Sequence, residues 1–397
     1  MSHIAVKTLR YISELTGAVP SDVLIGGSGA RVIRLRSSRS DGDDFALKFL
    51  SEHDRVVDGH DLPSFRRKII RQHRLARDLP GVYEPIAMEG HGDDHSWFVT
   101  RWIAGSELLT ARRFAPPSPS ATIMESLPQI LNSLAVLYSR ECVPGHAEYV
   151  REVYLGRVSR RLSYLLEGLR GTIGRDDVLS CCGSVIGSPA EVLQLIPATR
   201  GSWIPQCLYY PVHGDLNSSN LLLVDSCDRS FRLIDPGSSE RAKDLLYDLG
   251  KLVFSVSFFD LLRRRPVVFR TAVNKGSGRL SISMSIEEGW RRVAAHDTCE
   301  LHRALNSAAG YQRLLDREGA WERALVFVVA CHALAESACR LSHARICAEE
   351  GRDMLSSALA CLAYGGHLLL RHMETADGAP SSVFDAAVEF LTLCRGG

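Results

Sequence analysis

The octapeptide His213–Asn220, with the sequence His-Gly-Asp-Leu-Asn-Ser-Ser-Asn, is the feature that most restricts the fold of this chain. Asp215 is followed five positions later by Asn220, and four apolar residues come directly afterwards. A second apolar run, within Phe231–Gly237, ends at Asp235 in the sequence Asp-Pro-Gly. The two runs predict short strands, and a hairpin between them would bring Asn220 and Asp235 to the same end.

The three polar side chains suit the transfer of a phosphoryl group. Such a transfer passes through a loose, highly charged transition state, so the protein mainly positions groups and neutralises charge. One carboxylate is needed near the attacking hydroxyl, and an amide with a second carboxylate can hold Mg²⁺ against the phosphates of ATP. Asp215, Asn220 and Asp235 occur in the order that these tasks require. An ordinary turn would explain His-Gly-Asp alone, but the complete set at this spacing is specific.

These motifs resemble those of the aminoglycoside phosphotransferase and choline kinase-like family, which are small-molecule relatives of the protein kinases. The motifs run in the expected order from about Leu24 to about Asp248. The resemblance implies an α+β, bilobal protein kinase-like fold. Residues 1–104 would form a small antiparallel-sheet N-lobe, and residues 105–397 a large, mainly helical C-lobe.

The resemblance also implies roles for the polar residues. Asp215 would be the catalytic base, Asn220 and Asp235 would be the ligands of Mg²⁺, and ATP would be the phosphoryl donor, with GTP left open. Asp-Pro-Gly stands at Asp235 where protein kinases have Asp-Phe-Gly, and no Ala-Pro-Glu sequence or long activation loop follows. These departures argue against a regulated protein kinase.

A glycine-rich loop between two predicted strands is the candidate phosphate-binding loop, formed by Gly26, Gly27, Ser28 and Gly29. Glycines allow backbone N–H groups to approach phosphate oxygens, although a plain hairpin turn has the same composition. Lys48 lies inside the next apolar strand, where a lysine needs a partner. The phosphates of ATP would be that partner, and an edge-strand lysine facing water is the alternative.

The helix predicted at residues 64–77 contains no acidic residue, although the family usually places a glutamate there to pair with the strand lysine. Gln72 lies on the apolar face and is one candidate partner of Lys48, and Glu52 is another. The many arginines of this helix predict a solvated face, or else a surface for phosphate or an acidic partner. Because this glutamate is missing, the interpretation of the chain as a weak or inactive kinase stays open.

By resemblance, backbone groups of Arg101, Trp102 and Ile103 would hold adenine in a hinge between the lobes. His213 and Asp248 would give structural support, because a carboxylate that accepts several N–H bonds stabilises a loop. A plain carboxylate at a helix start is the alternative for Asp248.

The C-terminal part is predicted to be helical, with an apolar helix from about Trp321 to His343. His332, Glu336 and Arg340 form a polar stripe on it, which predicts either contact with the acceptor or a surface-facing ion pair. Residues 171–206 are poorly periodic and read as an irregular insertion. A hairpin around residues 274–278 loosely resembles family members associated with sugar and surface-polysaccharide metabolism.

Composition restricts the partners. The net charge is +1, so the chain implies no nucleic-acid partner. The longest apolar run and the N-terminus predict neither a membrane span nor a signal peptide. The 11 cysteines show no metal-binding spacing and predict a reduced, cytoplasmic protein. The expected partner is a small hydroxylated substrate such as a sugar, an aminoglycoside or an amino alcohol, with the oligomeric state open. A nucleotide-binding pseudokinase that regulates a partner protein is the alternative function.

Overall fold

The structure is a computed structural model of the 397-residue chain. It describes residues 3–25, 30–38, 42–52, 61–109, 121–169, 174, 176–182, 184–198, 203–224, 231–263, 269–276, 279–346, 351–374 and 382–394. The four residues of the predicted glycine loop, Gly26, Gly27, Ser28 and Gly29, lie outside these ranges.

The first half of the chain alternates between helices and short strands. Its elements are α1 (His3–Thr16), β1 (Ala18–Ile25), β2 (Arg31–Ser37), β3 (Phe45–Ser51), α2 (Leu62–Asp78), β4 (Ile86–His91), β5 (His95–Arg101), β6 (Gly105–Glu107), α3 (Ala121–Tyr138), β7 (Glu141–Pro144), α4 (Ala147–Val150), α5 (Gly156–Gly168), β8 (Val178–Cys181), β9 (Ser184–Gly187), α6 (Pro189–Ala198) and β10 (Cys207–Tyr210).

The second half is mainly helical. Its elements are β11 (Leu221–Val224), β12 (Phe231–Leu233), α7 (Leu245–Phe254), α8 (Asp260–Arg263), β13 (Phe269–Gly276), β14 (Arg279–Ile286), α9 (Glu288–Ser307), α10 (Ala309–Leu315), α11 (Trp321–Ile346), α12 (Gly351–Glu374) and α13 (Val383–Leu393).

The first of two compact units comprises residues 1–106 and 220–240. Its five-stranded antiparallel sheet has the order β1-β2-β3-β5-β4. Because side chains alternate along a strand, Leu47 and Phe49 of β3 join the core under α1, whereas Leu50 packs with Phe65 and Ile69 of α2. The same alternation places Lys48 on the side of the sheet that α2 covers.

The predicted hairpin of β11 and β12 belongs to this first unit, with Leu221 opposite Leu233. The Ile234 N–H donates to the Asn220 carbonyl at 3.0 Å, and the Leu233 N–H donates to the Val82 carbonyl at 2.9 Å. These bonds bring Asn220 to the end of the hairpin where Asp235 begins.

The second compact unit comprises residues 107–219 and 241–397 and is mainly helical. Its centre is α11, whose apolar side chains are buried from Ala324 to Leu341. The segment Trp321–Leu341 is long and apolar enough to cross a membrane, but 94% of its most apolar window is buried inside the protein. Such burial is typical of the core helix of a globular domain, and the expectation of no membrane span stays a prediction.

The expectation of an irregular insertion at residues 171–206 is also wrong. This segment forms β8, β9 and α6, and β8 pairs in parallel with β14 in a sheet of order β13-β14-β8-β9. The pairing partner lies about a hundred residues away in sequence, so local periodicity does not reveal it. The hairpin of β13 and β14 is confirmed, with Phe269 opposite Ile286.

The α+β class, with a small antiparallel sheet near the N-terminus and a larger helical part, is confirmed. The division into lobes at residues 104 and 105 stays a prediction. The nine described cysteines are free thiols, among them Cys181 and Cys182, whose sulfur atoms lie 3.8 Å apart.

Candidate functional site

Lys48 of β3 forms an ion pair with Asp235, the residue that follows the hairpin of β11 and β12. Its Nζ lies 2.7 Å from Asp235 Oδ1, and only 11% of the lysine side chain is exposed. The edge-strand alternative for Lys48 is wrong, because β3 lies between β2 and β5. A lysine in the middle of a sheet needs a charged partner, and Asp235 supplies one.

Lys68 of α2 is a second partner of Asp235, which the sequence patterns did not predict. Its Nζ lies 3.0 Å from the same Oδ1 atom, and 12% of its side chain is exposed. Lys68 follows Phe65 by three positions, so it lies on the side of α2 that packs on the sheet. Where the family usually has an acid on this helix, the chain therefore presents a second ammonium group.

Gln72, one of the two candidate partners of Lys48, has another role. It is buried as predicted, but its Nε2 donates to the Glu84 carbonyl at 2.7 Å. It fixes the chain that leads into β4. Glu52 as a partner of Lys48 stays a prediction.

Arg71 corrects the expectation that the arginines of α2 form a solvated face. It is fully buried, and its Nη1 donates to the carbonyls of Gly237, at 2.8 Å, and Ser239. Arg71 thus ties the segment after Asp235 to α2. Other arginines of the helix are exposed, including Arg77, whose side chain is 74% exposed.

Asp235 combines an unusual backbone with a strongly perturbed carboxylate. Its φ angle of 54° lies in the left-handed region, which is uncommon for residues other than glycine. Burial alone would raise the pKa of Asp235, but the ammonium groups of Lys48 and Lys68 lower it well below its usual range. The carboxylate is therefore charged at neutral pH.

Asn220 and Asp235 fit a hard divalent cation as two of its oxygen ligands. They lie at the same end of the hairpin, joined through the bond from Ile234 to Asn220. Asn220 is 7% exposed and the Asp235 side chain is 25% exposed. Mg²⁺ takes one or two protein ligands and fills its remaining positions with water and phosphate oxygens, so this pair suffices for it.

Asp215 lies in the second unit and forms an ion pair with Lys251 of α7. The Lys251 Nζ is 2.9 Å from Asp215 Oδ1, and 26% of the Asp215 side chain is exposed. The sequence patterns did not predict the role of Lys251 either. It follows Asp248 by three positions, and one face of α7 presents both residues to the loop that carries Asp215.

Asp248 holds the loop before Asp215 from inside the protein. Its carboxylate accepts the backbone N–H groups of His213 and Gly214, both at 2.8 Å, and the Tyr138 hydroxyl at 2.8 Å. Gly214 has a φ angle of 78°, which explains a glycine at the centre of His-Gly-Asp. The His213 Nδ1 accepts from the Asp215 N–H at 3.1 Å. This arrangement suits the supporting roles expected for His213 and Asp248.

Asp244, which begins α7, is another buried acid that the sequence did not single out. Its carboxylate accepts the hydroxyls of Tyr149, at 2.7 Å, and Tyr154, at 2.6 Å, and the Tyr247 N–H at 3.0 Å. Burial raises the pKa of Asp244 to about 6 against the effect of these bonds. The N-cap fixes the start of the helix that carries Tyr247, Asp248 and Lys251.

The polar stripe of α11 is buried, so its surface-facing explanation is wrong. Glu336 and Arg340 are each 8% exposed and form an ion pair at 2.8 Å. His332 is 1% exposed; its Nε2 lies 3.0 Å from the Tyr247 carbonyl and its Nδ1 3.2 Å from Arg157 Nη1. Burial, Lys251 and Arg157 hold the pKa of His332 well below its usual value, so the ring is neutral. Contact of these three residues with an acceptor stays a prediction.

Arg101 and Trp102, two of the three predicted hinge residues, already have protein partners. Arg101 pairs with Asp43 at 3.3 Å, and the Trp102 N–H donates to the Asp44 carbonyl at 2.8 Å. The Arg34 guanidinium lies 4.7 Å from the centre of the Trp102 ring. To donate a hydrogen bond to adenine, the Trp102 N–H would first have to break its bond to the Asp44 carbonyl. The adenine-binding role of Arg101, Trp102 and Ile103 stays a prediction.

Several solved structures are similar to this chain. One is an aminoglycoside-3'-phosphotransferase of type VIII, with 19% sequence identity and a TM-score of 0.45; the match covers 80% of this chain and 99% of that one. A second is the aminoglycoside phosphotransferase APH(3'')-Id from Streptomyces rimosus, with 16% identity and a TM-score of 0.39, covering 80% and 98% of the two chains.

A third similar structure is the PknI kinase domain of Mycobacterium tuberculosis, with 15% identity and a TM-score of 0.32, covering 76% and 96% of the two chains. No protein-family model matches the chain, and no curated protein sequence matches it.

Proposed function

We propose that this chain is a kinase that uses ATP and Mg²⁺ to phosphorylate a hydroxyl group of a small molecule. The observation that carries the proposal is the ion pair of Lys48 and Asp235 at 2.7 Å. It joins a lysine of the central strand to the carboxylate after the hairpin, the two groups that a phosphoryl-transfer site needs beside the phosphates of ATP.

In the first unit, Lys48 would contact the phosphates of ATP, and Asn220 and Asp235 would hold Mg²⁺. The bound ion would neutralise the charge that develops on the transferred group. The low pKa of Asp235 supports this role, because a metal ligand must be deprotonated at working pH.

In the second unit, Asp215 would take the proton of the acceptor hydroxyl. The acceptor oxygen forms a bond to the γ-phosphorus while the bond from that phosphorus to the bridging oxygen breaks, and ADP leaves. Lys251, at 2.9 Å, keeps the Asp215 carboxylate in place. The bonds from His213 and Gly214 to Asp248 fix the loop, so the base is positioned before substrate arrives.

An Asp215→Asn variant tests the role of the base. We expect it to bind ATP as the wild type does, because it lies outside the proposed phosphate site. Its kcat should fall by at least about 100-fold, the usual loss when a general base is removed. ADP release against a panel of sugars, amino alcohols and aminoglycosides measures turnover, and calorimetry measures nucleotide binding. Near-normal turnover of the variant would exclude Asp215 as the base.

An Asp235→Asn variant tests the metal site. We expect the Mg²⁺-dependent thermal stabilisation by a non-hydrolysable ATP analogue to disappear, because a hard cation needs its charged oxygen ligand. Asp78, whose side chain is 32% exposed, gives the control variant Asp78→Asn, which should keep the Mg²⁺ response. An unchanged Mg²⁺ titration in Asp235→Asn would remove this residue from the proposal.

A nucleotide-binding pseudokinase is the second candidate function. The contact of Lys68 with Asp235 favours it, because an ammonium group competes with Mg²⁺ for the same carboxylate oxygen. Nucleotide binding without phosphoryl transfer to any acceptor of the panel, at saturating Mg²⁺, would favour this candidate. For either function we propose a cytoplasmic location, which the free thiols of the nine described cysteines support.

A further inference from the structure

Three cysteine thiols from two distant parts of the sequence meet in the second unit. Cys181 ends β8, Cys182 follows it, and Cys394 comes directly after α13. The sulfur atoms of Cys181 and Cys182 lie 3.8 Å apart, and the Cys394 thiol is hydrogen-bonded to both. We call Cys181, Cys182 and Cys394 the thiol cluster. Thiols in such contact need only an oxidant to form a disulfide.

Strand β14 holds two of these cysteines through its backbone. The Cys182 N–H donates to the Ile282 carbonyl at 3.0 Å, and the Met284 N–H donates to the Cys182 Sγ at 3.4 Å. Two residues further along the strand, the Ile286 N–H donates to the Cys394 carbonyl at 3.2 Å. The same strand therefore fixes Cys182 and Cys394 side by side, through bonds that do not involve the Cys394 thiol.

Cys182 has a backbone conformation that is uncommon for its residue type. Its φ angle of 50° lies in the left-handed region, which glycine adopts without strain and most other residues avoid. Residues in such conformations persist only where the surrounding structure fixes them, and they concentrate at functional positions. Here the turn keeps the Cys182 sulfur beside the other two thiols.

The three thiols differ in exposure and in acidity. Cys182 is partly exposed, whereas Cys181 and Cys394 are buried. Hydrogen bonds from the thiols of Cys181 and Cys394 hold the pKa of Cys182 well below its usual value, although burial opposes this. The same bonds, with burial, raise the pKa of Cys394. A thiolate that solvent reaches is the group that oxidants attack, and a thiol beside it can form a disulfide with the oxidised sulfur.

We propose that Cys182 is a site of oxidation by hydrogen peroxide and that the product is a disulfide between Cys182 and Cys394. The Cys182 thiolate attacks one oxygen of the peroxide, and the O–O bond breaks as the S–O bond forms. The sulfur is oxidised to a sulfenic acid, and the released hydroxide takes a proton and leaves as water. The Cys394 thiol then attacks the Cys182 sulfur. The S–S bond forms, the S–O bond breaks, and the hydroxide leaves with the Cys394 proton as a second water.

Backbone geometry selects Cys394 rather than Cys181 as the partner. Consecutive Cα atoms lie about 3.8 Å apart, whereas the Cα atoms of a disulfide are usually about 4.4–6.8 Å apart. A bond between Cys181 and Cys182 would therefore have to distort the planar peptide unit that joins them. The bond to Cys394 would instead tie the end of α13 to the end of β8. It would close a loop of about half the chain, which restricts the unfolded state and stabilises the folded one.

Peptide mapping of the wild-type chain tests the proposal without any substitution. The reduced protein is treated with hydrogen peroxide, its remaining thiols are alkylated, and the digest is analysed by mass spectrometry with and without dithiothreitol. We expect a peptide pair joined through Cys182 and Cys394, which dithiothreitol separates. The midpoint of thermal unfolding should rise by a few degrees on oxidation and return on reduction, because the disulfide closes a long loop.

Variants assign the roles of the two cysteines. Cys394→Ala should abolish the joined peptides and leave Cys182 as a sulfenic acid, which dimedone labels. Cys182→Ser should abolish both the joined peptides and the dimedone label at this position. Cys299, an exposed thiol outside the cluster, gives the matched control Cys299→Ser, which should form the disulfide as the wild type does.

Three results of the peptide mapping would overturn the proposal. Oxidation of Cys299 in a protein whose Cys182 and Cys394 remain thiols would show that Cys182 is not the reactive site. A disulfide that joins Cys182 to Cys181, or to a cysteine outside the thiol cluster, would replace the assigned pair. Oxidation of Cys182 to a sulfinic acid with no joined peptides would exclude Cys394 as its partner.

Discussion

Two ammonium groups share one carboxylate oxygen at Asp235, and this residue explains how the strand lysine is held without an acid on α2. In the usual arrangement a helix glutamate fixes the lysine. Here Asp235 fixes both Lys48 and Lys68, at 2.7 and 3.0 Å. If Asp235 bound Mg²⁺ as proposed, both lysines would lose this partner, and the phosphates of ATP would replace it.

Substitution of Lys68 tests this exchange. We expect Lys68→Met to weaken the binding of Mg²⁺-bound ATP by about tenfold, as for the loss of one charge-assisted hydrogen bond. Lys48→Met should raise the KM of ATP and lower kcat. Gln72→Ala should leave the KM of ATP unchanged and reduce the free energy of unfolding by about 1 kcal/mol, because it loses one neutral hydrogen bond to Glu84.

Calorimetry with and without Mg²⁺ measures these affinities directly. The exposed Arg77→Met variant of the same helix is the control and should bind ATP as the wild type does. Unchanged binding of Mg²⁺-bound ATP in Lys68→Met would show that Lys68 only neutralises Asp235.

Tyr247 should titrate at an unusually low pH. Burial opposes its ionisation, but Arg157, Lys243 and Lys251 lower the pKa of Tyr247 to about 8 from its usual value near 10. Between these two pH values the unfolded state keeps the proton that the folded state has released, so this group makes the protein more stable as pH rises. An absorbance titration of phenolate should show one tyrosine with a pKa near 8. The step should vanish in Tyr247→Phe; a step that persists would assign it to another tyrosine.

At the scale of the elements, the geometry that sequence predicts well is local. Alternation along β3 and the spacing of residues 213–220 predict where Lys48 lies in the sheet and where Asp215 lies in its loop. The partners were not predicted, because Lys68, Lys251 and Arg157 reach the site from helices whose packing depends on contacts distant in sequence. The absence of an acid on α2 can be read from the sequence. Hydrophobic periodicity, however, does not indicate that a lysine of this helix takes its place.

Gly250 is the position at which α7 packs most closely on α11. A Cβ atom there would lie 2.5 Å from Val328 Cγ1 and 3.2 Å from the His332 ring. Gly250→Ala should therefore lower the free energy of unfolding by about 1–3 kcal/mol, the usual cost of overpacking a core. It should also raise the KM of the acceptor, because α7 carries Tyr247 and Lys251.

Thermal unfolding and acceptor kinetics check this expectation. A Gly250→Ala, Val328→Ala double variant should recover part of the stability, since it removes the group that clashes. A stable Gly250→Ala variant with an unchanged acceptor KM would show that α7 tolerates a shift.

At the scale of the whole molecule, the residues proposed to bind ATP and the residues proposed to bind the acceptor belong to different compact units. The first contains Lys48, Lys68, Asn220 and Asp235, and the second contains Asp215 and Lys251. Ligands of the two kinds should therefore protect different parts of the chain from hydrogen exchange, because a bound ligand suppresses local opening of the unit that holds it.

Hydrogen exchange with mass spectrometry tests this division. A Mg²⁺-bound ATP analogue should protect peptides from residues 45–51, 62–78 and 231–240. An acceptor that is phosphorylated in the panel assay should protect peptides from residues 207–219 and 243–252. Addition of the analogue to Asp235→Asn provides the control and should give weaker protection. Protection of the second set alone by the analogue would reverse the assignment.

The left-handed backbone of Asp235 has an evolutionary consequence. Asparagine and glycine tolerate this conformation, as aspartate does, and each lies a single nucleotide from an aspartate codon. Either change would keep the backbone conformation, but it would remove the carboxylate that pairs with the nearly buried ammonium groups of Lys48 and Lys68. Most other substitutions would strain the backbone as well. A lineage that gives up this acid would therefore have to replace a lysine too, and an aspartate retained across descendants would record the inheritance of three residues as one unit.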